Sequence, residues 1–231
     1  MEIGMFLGKP VKVSFGNVRP LTLNEIDEMG EHNYNRLLQC LAFHVADLDL
    51  EIDISELTTF DVIVSHCVHS VEHRKMTEEA LFLFLGEPVK FHEKHYVFVI
   101  NEDYSRYIWR DNYKELKDAL IKQNCLRSTP EFNPENDGAK AFIRNLKKMR
   151  SKYAKALNKD SGTLYDVVSA VCAKHHTISP FNIGELTIYT IFDQFKRLNA
   201  IDNYFLSVEQ LMQGAKKQDV NLKHWSAPIT N

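Results

Sequence analysis

The chain has 231 residues, 44% hydrophobic and 26% charged, with a formal net charge of −3. That apolar fraction excludes an intrinsically disordered chain, and nine Gly and seven Pro exclude a collagen-like or low-complexity one. The longest apolar runs, Ala80 to Leu85 and Tyr96 to Ile100, fall far short of the roughly twenty residues of a membrane helix, and no basic N-terminal region leads into an apolar stretch, so a non-membrane protein of the cytoplasm is expected.

In chain order, the first feature is a repeat: Phe6-Leu7-Gly8-Lys9-Pro10-Val11-Lys12-Val13 returns as Phe84-Leu85-Gly86-Glu87-Pro88-Val89-Lys90-Phe91. After the first copy the pattern predicts a turn at Gly16-Asn17, a short extended piece, and a helix to about Leu41 that opens on a capping box, Thr22 with Glu25. After the second it predicts a polar turn at Glu93-Lys94, a strand from Tyr96 to Ile100 and a helix near Asn112 to Asn124. Two readings stay open: a duplicated hairpin-plus-helix unit, or a common way of entering a hairpin through Gly-x-Pro. Between the copies a helical pair is expected, the first helix capped by Thr58 or Thr59 and running to about Arg74, the second starting at Thr77 and stopped by Gly86. Val64, Cys67, Val68 and Val71 share one face of the first by the 3.6-residue period, which marks that face as core.

The stretch Ser128 to Gly138 holds two prolines, a glycine and a run of turn formers, and the charge changes sign there. Residues 1–137 hold 14 Lys+Arg against 24 Asp+Glu, and residues 138–231 hold 14 against 7, giving formal charges of −10 and +7. Two halves of opposite charge attract each other or bind opposite partners. The organisation expected is an acidic α+β domain over 1–127, a linker over 128–138 and a basic all-helical domain over 139–231, mainly helical overall, with hairpins confined to residues before about 101. The helices expected after the linker are Ala139 to Asn158, Leu164 to His175, Thr187 to about Phe205, and a short one from Ser207 to Gln213 that Gly214 stops. Ile188, Ile191, Phe192, Phe195, Leu198 and Phe205 form an apolar stripe on the third.

No constellation for chemistry is complete. His66, His69 and His73 stand three and four apart, within about a 60° arc of one helix, and make the best metal candidates. They lie opposite the Val64/Cys67 face, where no second shell would orient them, so no metal is expected. Cys172 with His175 and His176 lacks the strand-to-helix elbow and oxyanion hole of a nucleophile, which favours a buried core thiol. Neither G-x-x-x-x-G-K-[ST] nor G-x-G-x-x-G occurs, and the acidic run Asp47 to Asp53 contains no Gly for a calcium loop. Lys140, Arg144, Lys147, Lys148 and Arg150 make a basic helix able to attract phosphates, but the irregular stretch from Ala173 to Gly184 is too long for a helix-turn-helix, which disfavours nucleic acid. The four well-separated cysteines suit reduced thiols.

Leu186 to Leu198, then Met212-Gln213-Gly214-Ala215 and Leu222-Lys223-His224-Trp225-Ser226, with Leu7-Gly8-Lys9-Pro10 and Val18-Arg19-Pro20-Leu21-Thr22 at the other end, resemble tail assembly chaperones of phages infecting Gram-positive bacteria. The resemblance implies a non-enzymatic morphogenesis protein of the bacterial host cytoplasm, without cofactors, that holds the tape-measure protein and helps recruit tail-tube subunits; it leaves oligomerisation open. Alternative expectations are a structural subunit of the particle, a connector or baseplate protein, and a DNA-binding regulator using the basic helices. The partner-binding candidates are Lys223, His224 and Trp225. A large aromatic beyond the last helix stop is costly to leave in water, so Leu222 to Pro228 is expected to bury Trp225, as a latch on the chain's own helices in preference to an interface anchor.

Overall fold

A computed structural model describes residues 3–45, 57–126 and 163–228. The fold is α+β and mainly helical, with hairpins in the N-terminal part and helices in the C-terminal part. A short helix α1 (Ile3–Phe6) leads into the hairpin β1 (Val11–Val13) and β2 (Gly16–Val18). The register Val13↔Gly16 puts the turn at Ser14-Phe15, two residues before the expected Gly16-Asn17, because this turn delivers Phe15 into the core. The expected single helix to Leu41 is two, α2 (Leu23–Met29) and α3 (Glu31–Ala42), broken at Gly30, whose φ of 83° leaves the helical region. The capping box forms as expected: Glu25 N–H donates to Thr22 Oγ1 (3.3 Å) and Thr22 N–H to Glu25 Oε2 (2.8 Å).

Helices α4 (Thr59–His69) and α5 (Val71–Leu85) follow. Thr58 caps α4 with Asp61 completing the box. The break comes at Ser70, not between Arg74 and Thr77, since the Ser70 side chain caps α5 by accepting from His73 N–H. Thr77 therefore lies inside α5 and donates back to the His73 carbonyl at 2.8 Å. The break also removes Val71 from the predicted core face: Cys67 is buried and Val64 and Val68 pack against the core, but Val71 is exposed.

Gly86 ends α5 in the left-handed region (φ 72°), as Gly8 does after α1 (φ 67°), and each is followed two residues on by Pro and then a strand. The repeat is thus a shared helix stop and strand entry. Beyond it the copies diverge, for the second leads into a three-stranded meander, β3 (Val89–His92), β4 (Val97–Ile100) and β5 (Asp103–Ile108). β5 extends past the expected limit at residue 101. Asn101 and Glu102, both at positive φ (51° and 58°), make the two-residue turn whose twist matches the strands. The sheet's inner face sets Phe91 opposite Phe98 (ring centroids 5.0 Å), and Phe98 meets Phe60 of α4 edge-on at 6.1 Å. Helix α6 (Tyr113–Gln123) closes this core with Leu116 and Leu120.

The linker and the basic helix expected between 128 and 158 lie outside the described residues. Two further helices follow, α7 (Leu164–Lys174) and α8 (Ile188–Met212). α8 runs unbroken through Ser207, so the separate helix expected there is its last two turns. Among the described residues after 163 no strand occurs. Val167, Val171, Ile183 and Ile191 form a second, smaller core. It is joined to the first where the caps of α2 and α8 meet: Thr22 and Thr187 form an isolated bridge, Leu23 N–H donates to Leu186 O (2.9 Å), and Thr190 Oγ1 donates to Phe6 O (2.9 Å). Ile188 belongs to the larger core itself.

Candidate docking site on the C-terminal helix

Helix α8 is 25 residues long, but only Ile188, Thr190 and Ile191, all in its first turn, are fully buried. Thr187 caps it, and its middle packs on α7 through Phe195 and Leu198. Lys174 at the end of α7 pairs with Asp202. Beyond that point α8 outruns α7 and presents Phe205, Leu206 and Met212, exposed at 62%, 56% and 83%.

Gly214 (φ 96°) turns the chain, a 3-10 turn spans Lys217–Asp219, and the last described residues fold back along α8 in the opposite direction. Ser207 Oγ donates to Asn221 O (3.4 Å), the His224 ring meets Tyr204 nearly edge-on (5.1 Å), and Arg197 Nη1 donates to the carbonyls of Trp225 and, at 3.2 Å, Ala227. Lys223 Nζ donates to Pro228 O at 3.1 Å, and Ser226 N–H to His224 Nδ1 at 3.2 Å. The three candidates Lys223, His224 and Trp225 therefore lie on a strap held against α8. The expected burial of Trp225 is corrected: the residue is 41% exposed. The reason is that the strap is gripped mainly by its main-chain carbonyls, and so its side chains stay at the surface. Arg197 and Tyr204, which make the grip, had no local signal in the sequence; both acquire the role from a segment twenty and more residues away.

The other candidates do not assemble. Lys140, Arg144, Lys147, Lys148 and Arg150 lie outside the described residues. The helix break at Ser70 separates the histidines: the His66 and His73 rings approach to 5.1 Å from two helices, whereas His69 Nδ1 bonds the Ser65 carbonyl at 2.7 Å. Among the described residues no group of three or more His, Cys, Asp or Glu could hold a metal ion. His175 Nδ1 is occupied as acceptor for Thr177 N–H and Ile178 N–H, and burial pushes the Cys172 thiol up, which opposes thiolate formation. Burial likewise raises Cys40, Cys67 and Cys125.

One feature of the body was not legible in the sequence: an open concavity of about 480 Å³ between α4 and the sheet, walled by Phe60, Val64, Val68, Tyr96 and Trp109, with the Asp61–Arg110 pair (3.3 Å) at its side. Its walls come from three separate stretches of chain, each too short to stand out.

The residues that carry α7, α8 and the strap decide what the chain resembles. Residues 156–230 match the family model of the YomV second domain. YomV is a protein of the Bacillus phage SPbeta region, and the match covers about a third of the chain. No curated protein and no solved structure matches. Among the described residues no helix is long and apolar enough to cross a membrane.

Proposed function

We propose that the chain is a phage morphogenesis protein that works by binding other proteins, without cofactor or catalysis, in the host cytoplasm. Its finer role is that of a tail assembly chaperone, holding the tape-measure protein and helping to recruit tail-tube subunits. The observation that carries this reading is a coincidence of place: the segment matching a phage protein family is also the one that leaves a helix end and an aromatic strap exposed. Exposed apolar side chains gathered on one element mark interaction sites. The docking residues in this reading are Lys223, His224 and Trp225 of the strap.

Co-expression with the tape-measure protein of the same phage genome tests it. The tape-measure protein should become soluble and co-purify with the tagged chain, and the complex should be lost on Trp225→Glu. A tape-measure protein that stays insoluble and unbound refutes the chaperone role, and stoichiometric recovery of the chain in purified virions would replace it with that of a structural subunit.

A further inference from the structure

We propose that the projecting half of α8 is a pairing surface for a second copy of this chain, which lies parallel to it once the C-terminal strap lifts. Beyond Asn199, Ile201, Tyr204, Phe205, Val208, Leu211 and Met212 fall within an arc of about 120° of the helix, with Asp202 and Glu209 flanking it and Asn203, Leu206 and Gln210 on the other side. An amphipathic helix of this kind buries its apolar face against something. Here α7 has already ended, and the strap, which meets α8 at Arg197, Tyr204 and Ser207, leaves Phe205 and Met212 exposed.

The spacing and the charges select the occupant. Phe205 and Met212 stand seven residues apart, with Ile201 and Val208 completing the seam of a coiled coil that begins just past Leu198, where α8 leaves α7. In a parallel pair of such helices each flanking residue lies beside the one five positions further along its partner. That sets Arg197 beside Asp202 of the second copy and Tyr204 beside Glu209, with no like charges opposed. An antiparallel pair would instead bring the Asp202/Glu209 flanks together. The complementarity is within this one sequence, which favours a second copy over a foreign helix. Asp202, though paired with Lys174, keeps 45% of its side chain exposed and can accept a further bond.

Arg197 makes the strap and the pair alternatives, because the group that would reach Asp202 of the second copy is the one that holds the Trp225 and Ala227 carbonyls. Strap residues Asn221 to Ser226 are all exposed, so little apolar surface is lost when it opens. A seam from Ile201 to Met212 is far smaller than an obligate interface, and the association is weak and concentration-dependent.

Sedimentation velocity on the full chain, from roughly 10 to 500 µM, reads this out. His224→Ala with Arg197→Lys loosens the strap while keeping the positive charge, since a lysine lacks the planar fork of arginine. The double variant should dimerise at a concentration about tenfold or more below that of the unaltered chain. Adding Phe205→Glu should return it to monomer with unchanged helical circular dichroism. If the double variant loses helicity, a chain ending at Val220 releases the strap instead. Met212→Cys should cross-link copy to copy on oxidation, against the same chain with Met212 intact, because only the parallel register brings the two 212 positions together. A loosened chain that stays monomeric throughout, or a dimer insensitive to Phe205→Glu, overturns the proposal. Equal dimerisation with and without the loosening changes overturns the role of the strap, and a dimer that Met212→Cys does not cross-link overturns the parallel register.

Discussion

Truncating Ile191 to Ala tests whether the C-terminal helices and the body fold as one unit. Ile191 is fully buried among Val167, Val171 and Ile183. The change removes three carbons, worth about 2.4 kcal/mol at about 0.8 kcal/mol per buried CH₂, and the cavity left behind raises the cost to about 3–4 kcal/mol. Because this core is small and edged by half-buried Phe195 and Leu198, which can relax inward, the lower end is expected. At about 2–4 °C per kcal/mol for a chain of this size, the midpoint should fall by about 6–12 °C. The assay is thermal melting in a Trp225→Phe background, where Trp109, at the end of β5, is the one remaining tryptophan and reports on the body alone. Its transition should move down together with the helical signal at 222 nm, because Leu23, Thr190 and Ile188 tie the two cores. If Trp109 melts at its unaltered midpoint while part of the helical signal is lost earlier, the two cores unfold separately and the reasoning fails.

Trp225→Ala should cost only about 1 kcal/mol, read as a small shift in melting midpoint, because the residue is 41% exposed; a loss of several kcal/mol would mean a buried latch. Gly86→Ala should cost about 1–2 kcal/mol in urea titration, since φ 72° forces a side chain into the left-handed region. Glu25 is held below the ordinary carboxylate range: burial alone would raise it, but bonds from Thr22 N–H and Arg19 outweigh that. Glu87 is lowered by its bonds from Arg106. Groups lowered on folding contribute stability above their unfolded value, near 4.5, which is lost as pH falls through the folded values. Melting midpoints should therefore drop below about pH 4.5, and Arg19→Ala, which removes the guanidinium bonded to Glu25, should flatten part of that drop.

The parts of the fold legible in the sequence are those fixed by local chemistry. Thr22 with Glu25, Thr58 and Gly86 each mark a helix end through a bond or a backbone angle that a few neighbouring residues decide. Ser70 does the same, but the apolar period ran across it and hid the break. β5 escaped because Ile108 is its only buried residue, so no alternation showed, and because its turn, Asn101-Glu102, has no glycine. The strap's position was the hardest to read. It depends on one guanidinium reaching main-chain carbonyls far along the sequence, and main-chain carbonyls leave no trace in residue identity.

The length of α8 has a mechanical consequence. Twenty-five residues at 1.5 Å each make a rod of about 37 Å, which moves together with α7, on which its middle packs, and is joined to the body at its first turn by the Thr187–Thr22 bridge and by Ile188. A rod fixed at one end is a lever: a tilt of about 10° at that joint carries the Met212 end by about 6 Å. Whatever seats itself at the far end therefore works with a long arm against the contacts of Thr190 with Phe6 and of Leu23 with Leu186, and a small rearrangement of those caps is read out as a large displacement at the tip.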